Sequence, residues 1–321
     1  MALFIETPLP QTAAYQGHEG YLYPGGNNVP TGYQTRVAPK YATLEADNEV
    51  VILCLGMSNM RHTCDVVKDK LTDPRIVIIN SGISGRAQQA WDGSISDQTW
   101  QIAMNKVSQA GYTANDIDMA WYFNTWGYEE FVDFNVYLAT MRDSLNITMS
   151  NIVTLFPNAQ LIYLTSREYG GFVVGTLSAE PKPYWDGYAV NDVIATRIAS
   201  PNEVPILWQA YQWNPLWPES YFRENDGVHL SDLGLDVASD LWISFFVGEP
   251  WFGVTPGPTN TPAPTLTPSP TVSVTSTPTI EATATVTATQ SASPTPTATT
   301  ECPPWNPGCS DPQPTRTPWG G

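Results

Sequence analysis

Five short, uninterrupted apolar runs, each followed by a stretch of helical character, constrain this chain more than any other feature. They lie at residues 49–55, 75–80, 117–123, 160–165 and 205–209. A run such as Val50-Val-Ile-Leu-Cys-Leu55, closed by Gly56, is too short for a buried helix and lacks the alternation of a half-exposed strand. It fits a strand covered on both faces, as in a parallel sheet. The intervening segments at 59–70, 100–110, 129–156, 187–199 and 231–247 read as helices. The longest carries Phe131, Phe134, Leu138, Met141, Leu145, Met149, Ile152 and Phe156 at helical spacing before Pro157-Asn158 ends it. Alternating strands and helices predict an α/β domain, a mainly parallel five-stranded sheet between two helical layers. Ligand crevices in such folds lie at the carboxyl ends of the strands.

The domain is expected over 46–252. Residues 1–45, rich in Gly, Pro, Asn and Tyr without sustained periodicity, are expected to be an irregular segment wrapping the surface. Residues 253–321 repeat Thr-Pro, Ser-Pro and Thr-Ala pairs, a composition with too little apolar surface to offset the entropy of ordering, and predict a disordered tail or stalk. The formal net charge of −17 belongs mostly to the folded part, because the tail holds only Glu281, Glu301, Asp311 and Arg316. An acidic surface without a Lys/Arg cluster argues against nucleic acid as a partner and against anionic membranes. No apolar run is long enough to span a bilayer as a helix. Met1 to Pro10 lack the pattern of a secretion signal. The Thr/Pro-rich tail, with Cys302 and Cys309 bracketing a loop that a disulfide would close, instead favours an extracellular or surface location. Cys54 and Cys64 are expected to be buried and reduced, and their spacing makes no metal site. No metal or cofactor is expected. Asn146-Ile-Thr148 matches a glycosylation acceptor but falls inside the predicted long helix.

Two segments carry chemistry. Gly56-Met-Ser58-Asn59 places a serine at the turn from the first strand into a helix, where free backbone N–H groups favour an oxyanion; an N-capping serine is the alternative. Asp226-Gly-Val-His229 lies just before the last helix. A serine hydroxyl needs an imidazole to take its proton, and the imidazole needs an acceptor to fix its tautomer, which a carboxylate three residues earlier can supply. Of the other two histidines, His18 and His62, the latter is expected on the solvated face of its helix.

Over residues 45–252 these segments resemble the SGNH, or GDSL-type, hydrolases. Ser58 matches the family's first block, and Asp226 with His229 matches its last. Asn80-Ser-Gly-Ile-Ser-Gly85 resembles the second, with Gly85 as the backbone oxyanion donor and Gly82 as the alternative. The third block is altered: Trp121-Tyr-Phe-Asn124-Thr-Trp126 keeps an Asn but lacks the family's glycine and acidic residue, and Asn124 becomes the candidate side-chain donor, with a loop-capping role as the alternative. The first block has Met57 and Asn59 where the family pattern has Asp and Leu. The resemblance implies a flavodoxin-like sheet, an oxyanion hole of Ser58, Gly85 and Asn124, and ester hydrolysis through an acyl-serine. Small-molecule esters and O-acetylated glycans are the candidate substrates. Trp126, Arg167 and Tyr169 are candidates for substrate contact, a surface ion pair to Glu168 being the alternative for Arg167. Trp91, Trp185, Trp213 and Trp217 are further candidates for stacking on sugars, whereas Trp121 and Trp208, on strands, are expected in the core. A carbohydrate-binding or adhesion module that has lost activity is the competing reading, motivated by the altered blocks.

Overall fold

The computed structural model describes residues 6–12, 14–127, 129–175 and 178–252. The tail expected to be disordered, with Cys302 and Cys309, lies outside them. Five strands, β1 (Val50–Gly56), β2 (Ile76–Asn80), β3 (Met119–Phe123), β4 (Leu161–Thr165) and β5 (Ile206–Trp208), alternate with helices α2 (Ser58–Lys70), α3 (Gln98–Gln109), α4 (Phe134–Leu155) and α5 (Lys182–Ala199), and α6 (Asp232–Val247) follows β5. A further helix, α1 (Thr31–Ala46), precedes them. Every pairing in the sheet is parallel and the order is β2-β1-β3-β4-β5. This is the flavodoxin-like order, whose connections turn in opposite directions on leaving β1 and on reaching β3. The crevice between the carboxyl ends of β1 and β3 is therefore where a ligand is expected, and β1 runs directly into Ser58.

The apolar runs are uninterrupted because the sheet is covered on both sides. Every residue of β1, β3 and β4 is buried. Along β3 the side chains alternate between two aromatic cores. Trp121 stacks on Phe246 of α6 with ring centroids 4.0 Å apart, while Tyr122 meets Trp91 edge-on and donates its hydroxyl to Gln88 Oε1 at 2.7 Å. Helices α2 and α6 pack together, as do α4 and α5. Trp121 and Trp208 are core residues, as expected, and so are Trp91, Trp185 and Trp213. Asn146 lies on α4 with Thr148 wholly buried, so its acceptor sequence is built into a packed helix. Among the described residues no helix is long and apolar enough to cross a membrane.

The expectation of an irregular 1–45 segment needs correction. Thr31–Ala46 is a helix despite Pro39 in its interior, and the tyrosines ahead of and within it close the open edge of the sheet. Tyr33 Oη donates to the Ile206 carbonyl at 3.0 Å and accepts the Ile206 N–H at 2.7 Å. Tyr23 Oη accepts the Trp208 N–H at 3.1 Å. An unpaired edge strand is a template for aggregation; here side-chain hydroxyls take the place of a sixth strand.

The expectation of reduced thiols is also overturned. Cys54 on β1 and Cys64 on α2 form a disulfide with Cα atoms 6.5 Å apart. It ties the helix that begins at Ser58 to the strand that delivers it.

Asp186, on α5, is wholly buried and accepts the Tyr137 hydroxyl of α4 at 2.5 Å. Burial pushes its carboxyl up to about 7 against the opposing Tyr137 hydrogen bond and the charges of Arg167 and Lys182. Between the ordinary aspartate value of 3.8 and about 7 the unfolded chain has released this proton while the folded chain holds it. This group's contribution to stability is thus lost as pH rises through that window. Asp186→Asn mimics the protonated acid. Its urea midpoint should fall less than the wild-type midpoint between about pH 5 and about pH 7.5; parallel profiles would contradict a buried, proton-holding Asp186.

Candidate active site

The N-terminus of α2 sets the position of Ser58. Met57 precedes the helix in extended conformation, and the Ser58 side chain, only 6 % exposed, emerges at the carboxyl end of β1. Its Oγ lies 2.8 Å from His229 Nε2. His229 Nδ1 lies 2.9 Å from Asp226 Oδ2, while Asp226 Oδ1 accepts the backbone N–H groups of Val228 and His229 at 2.8 and 2.9 Å. The carboxylate therefore orients the ring and shapes the loop that carries it. With Asp226 accepting at Nδ1, the hydrogen-bond network assigns the proton to Nδ1 and leaves Nε2 as an acceptor facing the serine. Burial of Asp226 favours its protonated form, but the His229 and Val228 N–H groups and the His229 ring outweigh it, so its carboxyl is held below the ordinary aspartate value. Gly227 is required between them. Its φ is +59°, and a Cβ there would lie 1.9 Å from the Phe172 carbonyl oxygen.

A buried polar layer supports this loop from beneath. The Val228 carbonyl accepts from Asn59 Nδ2 at 2.9 Å and from Arg167 Nη2, and Asn59 Nδ2 also lies 3.3 Å from Glu168 Oε2. Asn59, Arg167 and Glu168 are 2 %, 1 % and 0 % exposed. Burial raises the Glu168 carboxyl, with Arg167 pulling it the other way. Arg167 thus neither reaches the crevice as a substrate contact nor forms a surface ion pair: its Nε stands 3.6 Å from Glu168 Oε2 in the interior. Tyr169 is buried against Phe172 and Trp213. Trp126 donates its Nε1–H to Glu129 Oε2 at 3.0 Å and meets Phe131 edge-on. None of these three lines the pocket beside Ser58, and none of the other candidate tryptophans does.

That pocket has a volume of about 350 Å³ and is walled by Met57, Ser58, Gly85, Ala87, Val228 and His229 among others. Gly85 reaches it as the third residue of a turn closed by the Arg86 N–H on the Ile83 carbonyl at 3.2 Å. Its φ of +75° is the conformation that position demands, and a side chain there would meet nothing within 4 Å. Gly82 lies instead against the backbone of Arg61 and is not part of the wall. Asn124 follows the end of β3 and is 2 % exposed. Its Nδ2 donates to the Arg86 carbonyl and to Tyr122 Oη, each at 3.2 Å, and its Oδ1 accepts the Thr125 N–H. It stands behind the turn that presents Gly85.

His62 departs from expectation. Four residues beyond Ser58, it lines the same pocket rather than the solvated helix face, with its ring 5.5 Å from that of His229. Its Nε2 accepts from Arg61 Nη2 at 2.9 Å. Burial, reinforced by Arg61 and Arg223, lowers its pKa to about 4, so the ring is neutral at physiological pH.

No protein-family model matches the chain, and no curated protein matches it. Similar solved structures include a Bacillus subtilis protein at 9 % identity and TM-score 0.35, matched over 62 % of this chain and 56 % of its own. This chain thus spans little more than half of that protein. Another is the lipase Lip_vut3 from a goat rumen metagenome, at 13 % identity and TM-score 0.37 over 61 % of this chain and 96 % of that one. A third is the periplasmic domain of a lipopolysaccharide acetyltransferase from Salmonella ser. Paratyphi A, at 14 % identity and TM-score 0.36 over 68 % and 96 %. Likeness at this level carries no argument about activity, which rests on the geometry above.

Proposed function

We propose that the protein is a serine hydrolase of the SGNH type that cleaves carboxylic esters through an acyl-serine intermediate. The observation that carries this reading is the continuous relay from Ser58 Oγ through His229 to Asp226 at the mouth of a pocket, with both links within 3 Å. Ser58 Oγ attacks the ester carbonyl carbon as His229 Nε2 takes its proton. The carbonyl oxygen gains the negative charge and is stabilised by the backbone N–H groups of Ser58 and Gly85. Asp226 stays ionised and stabilises the imidazolium. His229 then returns the proton to the departing alkoxide, leaving an acyl-serine. Water, deprotonated by the same nitrogen, releases the acid and restores Ser58. Asn124 Nδ2 is engaged with Arg86 and Tyr122, so its first role is to position the Gly85 turn, and acting as an oxyanion donor requires it to exchange one of those bonds.

A carbohydrate-binding module has no use for a hydrogen-bonded Ser–His–Asp set, and among the described residues no tryptophan lines the pocket to stack on a sugar. O-acetylated glycans remain one substrate class to test beside simple esters. The purified protein should turn over short-chain 4-nitrophenyl esters; absence of turnover across acetyl, butyryl, longer acyl and acetylated-sugar substrates would exclude the reading.

A further inference from the structure

The chain carries 31 acidic and 14 basic side chains, yet among the described residues no acidic one lines the pocket beside Ser58. Arg61, His62 and Arg223 do, together with Ser84 and the residues already named. Most other arginines are satisfied. Arg75, Arg142, Arg167 and Arg197 each stand beside a carboxylate. Arg36 donates to four backbone carbonyls, and Arg86 to the Gln98 side chain. Arg61 and Arg223 are left without a carboxylate partner among the described residues. Arg61 donates to neutral His62. Arg223 uses only its Nε, on the Leu230 carbonyl at 3.2 Å, which leaves both terminal nitrogens unengaged among the described residues. Asp65, whose charge reaches His62, accepts from Asn80 Nδ2 at 2.6 Å and forms no ion pair with either arginine among the described residues, and Asp226 is engaged with His229.

In a protein this acidic, two half-buried guanidinium groups without an ion-pair partner among the described residues, sharing one pocket wall, form a site for an anion. Guanidinium groups pair with carboxylate and phosphate through parallel N–H donors. Resting on the esterase reading above, the geometry points to an anionic ester as the substrate, one carrying a carboxylate or phosphate close to the scissile bond, with Arg61 and Arg223 binding that charge while Ser58 attacks the carbonyl. His62 accepts from Arg61 and so holds its guanidinium toward the pocket without adding a titrating charge. The acidic exterior repels such a substrate at long range, so selection falls to the pocket itself.

The test compares matched pairs of esters that differ in one charge. Mono-4-nitrophenyl succinate and its methyl ester place the charge on the acyl side; 4-acetoxybenzoate and its methyl ester place it on the alcohol side. Wild-type kcat/KM should favour the anionic member of at least one pair. Arg223→Gln should reduce that anionic-to-neutral ratio by about tenfold, Arg223→Lys should restore part of it, and Arg142→Gln, at a remote exposed pair, should leave it alone. A ratio that is the same in wild type and Arg223→Gln, with turnover that still depends on Ser58, overturns the proposal and leaves the esterase reading intact. Calorimetric binding to the Ser58→Ala protein separates the two claims. Tighter binding of the anionic member that is lost in Ser58→Ala/Arg223→Gln supports the anion site even if turnover is absent, and equal binding of both members refutes it.

Discussion

Ser58→Ala is expected to lower kcat on short acyl esters by about 10³- to 10⁶-fold, with residual turnover coming from binding and oxyanion stabilisation alone. The size of the effect follows from the absence of a substitute. The hydroxyl that lies 2.8 Å from His229 Nε2 is removed, and without it neither bond formation to the carbonyl nor acylation occurs. The fold should survive, because Ser58 Oγ contributes its hydrogen bond to His229 and not to the core. Unchanged thermal unfolding with lost turnover distinguishes a nucleophile from a structural serine.

Asp226→Asn should cost about 10²- to 10⁴-fold in kcat while leaving KM near its wild-type value. The asparagine oxygen can keep the Val228 and His229 N–H bonds that Asp226 Oδ1 accepts. The amide nitrogen then takes the place of Oδ2 and presents a donor to His229 Nδ1. That ring nitrogen must become the acceptor, the proton moves to Nε2, and the ring donates to Ser58 instead of accepting from it. The imidazolium that forms on attack also loses its counter-charge. Preserved loop geometry with a collapsed rate is the signature of this change; a near-wild-type rate would mean that Asp226 only shapes the loop.

The sheet was legible because each strand is an unbroken apolar run, and the observed strands begin and end within two residues of those runs. Helix α1 was not, because only Tyr33, Val37 and Leu44 are buried on it and Pro39 interrupts its interior. Its purpose, closing the β5 edge through tyrosine hydroxyls, depends on which strand lies outermost, a property of the assembled sheet. Ser58, Asp226 and His229 were identifiable as types in the right local settings. The disulfide was not, since a ten-residue separation is no motif until a strand–turn–helix brings the two cysteines together. His62 did have a usable signal. At four residues from Ser58 on a helix it shares that residue's face, and the pocket is where that face points. Arg167 and Glu168 follow a strand buried along its whole length, so a charged pair there is placed beneath the crevice and not on the surface. The Asn59–Arg167–Glu168 layer ties the residue after Ser58 to the histidine loop: Asn59 Nδ2 bonds the Val228 carbonyl beside His229.

Reaction of the full-length protein with a fluorophosphonate probe, followed by intact-mass measurement and peptide mapping, tests the central assignment most directly. A serine activated by His229 should take up one phosphonyl group, the adduct should map to Ser58, and labelling should vanish in Ser58→Ala and slow sharply in His229→Ala. An unlabelled protein, or an adduct on another serine, would contradict the assignment of Ser58 as the nucleophile.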